Sequence, residues 1–464
     1  MSPVRPLLVI DVVGLTPALL AHAPRIRALA APSGFTAALE PPLPAVTCTS
    51  QATLVTGKLP RDHGIVGNGW YFRDLAEVLF WRQPDGLVRG EKVWEAARRR
   101  RPEIKTAKLF WWYNLYSAVD LSATPRPHYA ADGAKHFGIY TEPPALEREL
   151  VESLGPFPFL HFWGPAAGLP ASDWIARAAR AVLDRHRPDL ALVYLPHLDY
   201  DLQRFGPDDA RVPAEVAAVD RLAGDLAEHA RAAHGARVVV LSEYGIERVE
   251  APVHPNRALR EAGLLRVRES RWVGETLDAG ASRAFAVADH QVAHVYVRDP
   301  AADLATVADR LERLPGVERV LDDRGKREVG LDHERAGDLV LVAAPGRWFT
   351  YYPWLDDARA PDFARTVDIH RKPGYDPCEL FVDPALRFPR LRVASRLAQK
   401  ALGFRYLVDV VPLDASLVRG SHGRPPAAPE HGAVLVSTER TGAADRLPMT
   451  AVKDLLLATL FAEA

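Results

Sequence analysis

Short apolar runs rich in β-branched residues alternate along the chain with amphipathic stretches, the pattern of buried strands threaded between helices. Leu7 to Val13 is apolar throughout except for Asp11, which falls near the C-terminal end of a predicted parallel strand. Ser172 precedes a stretch in which Trp174, Ile175, Ala178, Val182 and Leu183 recur at helical spacing until Pro188 stops it. The run Leu190 to Leu195 follows as a strand leading into His197, Asp199 and Asp201. A longer amphipathic helix is predicted from about Pro213 to Ala233, ended by Gly235. The next strand, Ala236 to Leu241, runs into Ser242-Glu243-Tyr244-Gly245.

Beyond Gly245 the pattern changes to a strand at His294–Arg298, a helix at Ala302–Leu314 and a strand at Val317–Leu321. This βαβ-like unit predicts three parts: a core segment over 1–249, an inserted cap over 250–335, and a second core segment over 336–464. On this reading Gly337 to Ala343 leads the chain back to the main sheet, and Met449 to Phe461 closes it as a helix.

Ligands of open α/β sheets bind at the carboxyl ends of the strands. Asp11, Asp199 and Glu243 end three such strands, so they would meet in one crevice and repel one another unless cations held them. A divalent metal site is the simplest resolution; three independent helix caps or salt bridges are the alternative.

Composition narrows the class. The chain has 464 residues, 48% of them hydrophobic, and 58 basic against 59 acidic side chains for a net charge of −1. No global field exists to grip a nucleic acid polymer or an anionic membrane. Two cysteines, Cys48 and Cys378, make no disulfide framework and point to a reducing cytoplasm. The first apolar run is too short to span a membrane and carries Asp11, so no membrane or targeting segment is expected. Arg98 to Arg101 reads as a solvated helix end.

The most specific stretch is Pro44-Ala-Val-Thr47-Cys-Thr-Ser-Gln-Ala-Thr-Leu-Val-Thr-Gly57, continuing through Lys-Leu-Pro-Arg-Asp-His-Gly-Ile-Val-Gly-Asn68. It resembles the nucleotide pyrophosphatase/phosphodiesterase branch of the alkaline phosphatase superfamily. The resemblance implies a three-layer α/β sandwich with a mostly parallel central sheet and a smaller inserted cap. It makes Thr47 the nucleophile and Asn68 the phosphate-binding amide. A threonine at a helix N-terminus also suits attack on phosphorus, with Cys48 and Ser50 as weaker rivals.

By the same resemblance Asp11 is a metal ligand on the first strand. Leu198-Asp199-Tyr-Asp-Leu-Gln203 is similar to the family's Asp-x-x-x-His element, with Gln203 where the histidine is expected. Ser242-Glu243-Tyr244-Gly245 resembles its Ser-Asp-His-Gly signature, with Glu243 and Tyr244 substituted. His422, in Gly420-Ser-His-Gly423, falls on the last metal-binding histidine. The implied cofactors are two divalent metal ions. Zinc is the family's ordinary choice, but the oxygen-rich set here leans toward Mn²⁺, Mg²⁺ or Fe.

His370 and Lys372 gather in an acid-flanked loop where substrate phosphate could be met, a salt-bridged turn being the other reading. His290 and His294 are expected to pack or line the cap, and His197 to be a ligand or a partner of one. The expected activity is hydrolysis of a small phosphodiester or nucleotide pyrophosphate through a phosphothreonine. A phosphonate or phosphomonoester hydrolase, and a non-catalytic phospho-ligand binder, stay open.

Overall fold

The computed structural model of the protein describes residues 4–131 and 134–463. Its centre is a nine-stranded sheet. From one edge the order is Arg446–Pro448, Phe35–Glu40, Ala433–Ser437, Arg237–Leu241, Leu7–Val12, Leu190–Leu195, Thr106–Leu109, Leu121–Pro125 and Ile139–Glu142. Leu7–Val12 lies parallel between Leu190–Leu195 and Arg237–Leu241. Ala433–Ser437 and Ile139–Glu142 run antiparallel to their neighbours.

The period of two along the central strands builds the layers. Leu8, Ile10 and Val12 face the helices Leu169–His186 and Val212–His234, together with Val238 and Val240. Leu7 and Val9 face the other way, with Val239 and Leu241, onto Leu54 and Val55 of the helix Thr47–Thr56 and onto Val452–Leu460. Asp11 keeps the parity of Leu7 and Val9, so it emerges on the side of the Thr47 helix. This is a mixed, mostly parallel three-layer sandwich.

A second sheet is antiparallel, in the order Ala284–Asp289, Val292–Val297, Leu339–Ala343, Val317–Leu321. Leu339–Ala343 therefore does not rejoin the main sheet as expected. It slots between the two strands linked by the helix Pro300–Glu312, and the main sheet is regained at Ala433–Ser437. A fully buried apolar run satisfies either sheet equally, so its pattern could not choose between them. Ser172 likewise lies inside its helix, which begins at Leu169; its Oγ accepts from the His197 N–H at 3.2 Å.

Candidate active site

Thr47 is the first residue of a helix that is buried along its whole length and ends at Gly57 in the left-handed region. Val46, at the N-cap, offers no side-chain acceptor. Asn68 supplies it from outside the helix: its Oδ1 accepts from the Cys48 N–H at 2.9 Å. The Asn68 amide in turn donates to Asp289 Oδ1 at 3.0 Å, and its backbone N–H donates to Asp289 Oδ2 at 2.7 Å. Asp289 ends a strand of the second sheet, so that sheet docks directly on the start of the Thr47 helix.

Asp199 and Gln203 project one turn apart from the helix His197–Phe205, which follows strand Leu190–Leu195. Glu243 and Tyr244 follow strand Arg237–Leu241. The next residue must be glycine, because a Cβ on Gly245 would lie 1.8 Å from the His431 carbonyl oxygen. His422 follows the short strand Gly420–Ser421, which pairs with Glu247–Arg248.

These side chains form one buried network. The Thr47 hydroxyl lies 3.0 Å from the Tyr244 hydroxyl and faces the Glu243 carboxyl. Tyr244 donates to Asp199 Oδ1 at 3.1 Å and stacks on His422 with ring centroids 3.6 Å apart. Gln203 donates to Asp199 Oδ2 at 2.8 Å and accepts from Tyr375 at 2.9 Å. Both ends of its amide are thus engaged.

Sequence reasoning missed Gln51, which sits one turn after Thr47 on the same helix face. Its amide donates to Asp11 Oδ2 at 3.3 Å and Glu243 Oε1 at 2.5 Å, and accepts from the Trp112 N–H at 2.7 Å. The i to i+4 spacing from Thr47 was the available signal. Asp289 was missed as well, although it ends an apolar run as Asp11 does.

Electrostatics follow from packing acids without cations. Burial pushes Asp11 and Asp199 up to about 7. Glu243 is raised well above its ordinary value by burial and by its neighbour Asp11. Burial drives His422 well down, so its ring is neutral. Its Nδ1 donates to the Ala45 carbonyl at 2.8 Å, which leaves the Nε2 lone pair 3.7 Å from Asp199 Oδ1.

The family implies divalent metals, and the donor atoms fit them. Asp11 Oδ1, Glu243 Oε2 and His422 Nε2 are buried and have no hydrogen-bond partner among the described residues. A bound cation would relieve all three.

His370 is exposed. Lys372 is 1% exposed and locked between Asp376 and Glu379, each at 2.7 Å. Its charge is spent inside the loop, which instead delivers Tyr375 to Gln203 and to the ring of His290, 3.7 Å away. His290, in the left-handed region with φ 60°, lies between Tyr375 and His422 and bonds to Asp289 at 2.8 Å. His294 is buried in its strand and bonds to the Val66 carbonyl. His197 pairs with Glu215 at 2.8 Å. Among the described residues no helix is long and apolar enough to cross a membrane.

A mostly parallel sandwich with acids gathered at its strand ends beside a helix-opening threonine defines a class, the alkaline phosphatase-like proteins. Residues 7–376 match the type I phosphodiesterase / nucleotide pyrophosphatase family, and the chain belongs to it. This is a family of hydrolases acting on phosphoric ester and anhydride bonds. An uncharacterised pyrophosphatase/phosphodiesterase of Schizosaccharomyces pombe is 26% identical over 246 residues, covering 51% of this chain and 42% of that protein. The matched part thus spans less than half of that relative's length.

Among solved structures, phosphonoacetate hydrolase from Sinorhizobium meliloti 1021, bound to phosphonoformate, superposes with a TM-score of 0.62 at 15% identity. The match covers 100% of this chain and 96% of that one. Murine ectonucleotide pyrophosphatase / phosphodiesterase 5 gives a TM-score of 0.57 at 14% identity, covering 99% and 96%. At these identities the likeness is one of fold.

Proposed function

We propose that the protein hydrolyses a small phosphodiester or nucleotide pyrophosphate: Thr47 attacks phosphorus and expels one alcohol or phosphate, and water then cleaves the resulting phosphothreonine ester, releasing the remaining phosphoryl group and restoring the hydroxyl. The observation that carries this reading is the set of unpaired buried acceptors, Asp11 Oδ1, Glu243 Oε2 and His422 Nε2, in the same network as the Thr47 hydroxyl. The Tyr244 oxygen, 3.0 Å away, is the acceptor facing the Thr47 proton. The helix N-terminus favours the incoming anion. Asn68, which tethers that N-terminus, can turn its amide to a phosphoryl oxygen once Asp289 yields it.

Asp11 and Glu243 are the residues to hold one divalent cation beside Thr47, and Asp199 with His422 those to hold a second. When bound, such cations neutralise phosphoryl charge and favour loss of the threonine proton. The oxygen-rich donors support Mn²⁺ or Mg²⁺ over zinc. Cys48 and Cys378, both buried and free, support a cytoplasmic location.

A second reading rests on Gln203 and Tyr244. Their hydrogen bonds to Asp199 complete a network in which a former catalytic site could bind a phosphorylated ligand without turning it over. Turnover of an aryl phosphodiester with Mn²⁺, Mg²⁺ or Zn²⁺, compared with Thr47→Ala, separates the two. A metal-dependent rate lost in the variant supports hydrolysis, and no rate with any metal favours the binder.

A further inference from the structure

The even charge balance of the whole chain conceals a local segregation. Residues 384–408 contain Arg387, Arg390, Arg392, Arg396, Lys400 and Arg405, and no Asp or Glu. Most of this segment forms the helix Pro389–Ala401, none of whose residues is buried.

The helix is turned with its charged side inward. Arg392 and Arg396 both pair with Asp409, the latter at 2.9 Å, and Arg405 pairs with Asp362 at 2.6 Å. Val393, Arg396 and Gln399 are the half-covered positions on that side. At 100° per residue, Leu391, Ala394, Ala398 and Leu402 fall on the opposite, outward face. Leu391 is 68% exposed, Leu397 51% and Leu402 73%, and Phe388 and Phe404 extend the apolar strip at 61% and 66%. A surface helix ordinarily buries its apolar stripe and solvates its arginines; here the orientation is reversed.

We infer that this segment is a docking surface for an anionic lipid bilayer. The apolar strip would enter the interfacial region. Arg387 and Arg390, beside the strip and with no carboxylate partner among the described residues, would meet the headgroups, and Lys400, exposed on the other side of the helix and likewise without one, adds to the field. Charge selects this occupant over a second copy of the chain. A two-fold pairing sets the same patch against itself, bringing the cations without a carboxylate partner, Arg387, Arg390 and Lys400, of two copies together. An anionic surface complements the same charge. The inference does not depend on the hydrolytic reading of the active site.

The test is co-sedimentation of the full chain with vesicles of phosphatidylcholine alone and with added phosphatidylglycerol, at low and high salt. The expected result is binding to the anionic vesicles only, weakened by salt. Each cation near such a surface contributes about fivefold in affinity, so Arg387→Glu/Arg390→Glu/Lys400→Glu should bind at least about a hundredfold more weakly. Leu391→Asp/Leu397→Asp/Leu402→Asp should abolish binding. All six positions are exposed or lie on exposed turns of the helix, and an unchanged circular dichroism spectrum verifies the fold.

No partition to anionic vesicles at low salt overturns the inference, as does equal binding to neutral vesicles or by the charge-reversed variant. A concentration-dependent dimer by light scattering, abolished by the leucine variant without any vesicle binding, overturns it in favour of self-association.

Discussion

The Tyr244 hydroxyl lies 3.0 Å from Thr47 Oγ1 and donates to Asp199 Oδ1 at 3.1 Å, so one phenol joins acids and alcohol brought in by three separate segments. Tyr244→Phe keeps the stacking on His422 but frees the threonine hydroxyl to rotate. The expected outcome is a fall in kcat of about tenfold to a hundredfold with KM little changed, the signature of lost alignment rather than lost binding. Steady-state kinetics on an aryl phosphodiester check this, and an unchanged kcat assigns the phenol to packing.

Thr47→Ala should lower turnover more than about a thousandfold while the melting temperature stays within a few degrees, because the lost hydroxyl bonds only to side chains of the network itself. Thr47→Ser restores an attacking oxygen and should recover part of the rate. Trapping of labelled phosphate on the wild-type chain, but not on the alanine variant, checks the intermediate directly.

Acidity in this site makes stability depend on pH with a definite sign. Asp199 holds its proton up to about pH 7 in the metal-free folded chain, against an ordinary value of 3.8. Between those values the native state binds more protons than the unfolded one, so this contribution falls as pH rises and is fully lost above about 7. His290 and His422, buried and neutral, act in the opposite direction near their ordinary range, so the comparison must be made against a variant. In chelator, Asp199→Asn should gain about 2–3 kcal/mol on the wild type between pH 5 and pH 8, measured by denaturant unfolding. Added Mn²⁺ should raise the wild-type melting temperature more at pH 8 than at pH 5, because protons compete for the same oxygens.

The loop that brings Tyr375 to the site depends on a buried charge cluster. Burial pulls the Lys372 ammonium down, but Asp376 and Glu379 outweigh it and hold it at about 12. Lys372→Met leaves two carboxylates buried without a cation and should cost about 3–5 kcal/mol. If Lys372 instead met substrate, the variant would raise KM at unchanged stability; unfolding curves and kinetics read the two effects separately.

What the sequence disclosed and what it withheld divide along the range of the interaction. Asp11, Asp199 and Glu243 end or follow apolar runs, so local periodicity marked them, whereas Thr47 was singled out by the resemblance of its segment to a known family. Gln51 and Asp289 act through partners 192 and 221 residues away. Nothing in their neighbourhoods marks that contact. Leu339–Ala343 was legible as a strand but not as a member of its sheet, because burial on both faces erases the alternation that distinguishes environments. The apolar helix at Pro389–Ala401 went unread for a related reason: periodicity reveals an amphipathic stripe but not which side faces the body.

Gln51 supplies the sharpest test of how the acidic centre is held. Its amide places one donor between Asp11 and Glu243 while its oxygen accepts from the Trp112 N–H, so it separates two buried carboxyls and ties the Thr47 helix to the neighbouring loop. Gln51→Leu keeps the volume but leaves a buried N–H and two acids without their partner, which should cost about 2–4 kcal/mol in the metal-free chain. Gln51→Glu adds a third acid to the same space. At low pH the new carboxyl can stay protonated and donate, so the variant should approach wild-type stability. At high pH ionisation sets three like charges together, and the variant should fall well below Gln51→Leu. Unfolding free energies of both variants across pH 5 to 8 decide the point, since equal losses at every pH would mean that Gln51 fills space and does not organise charge.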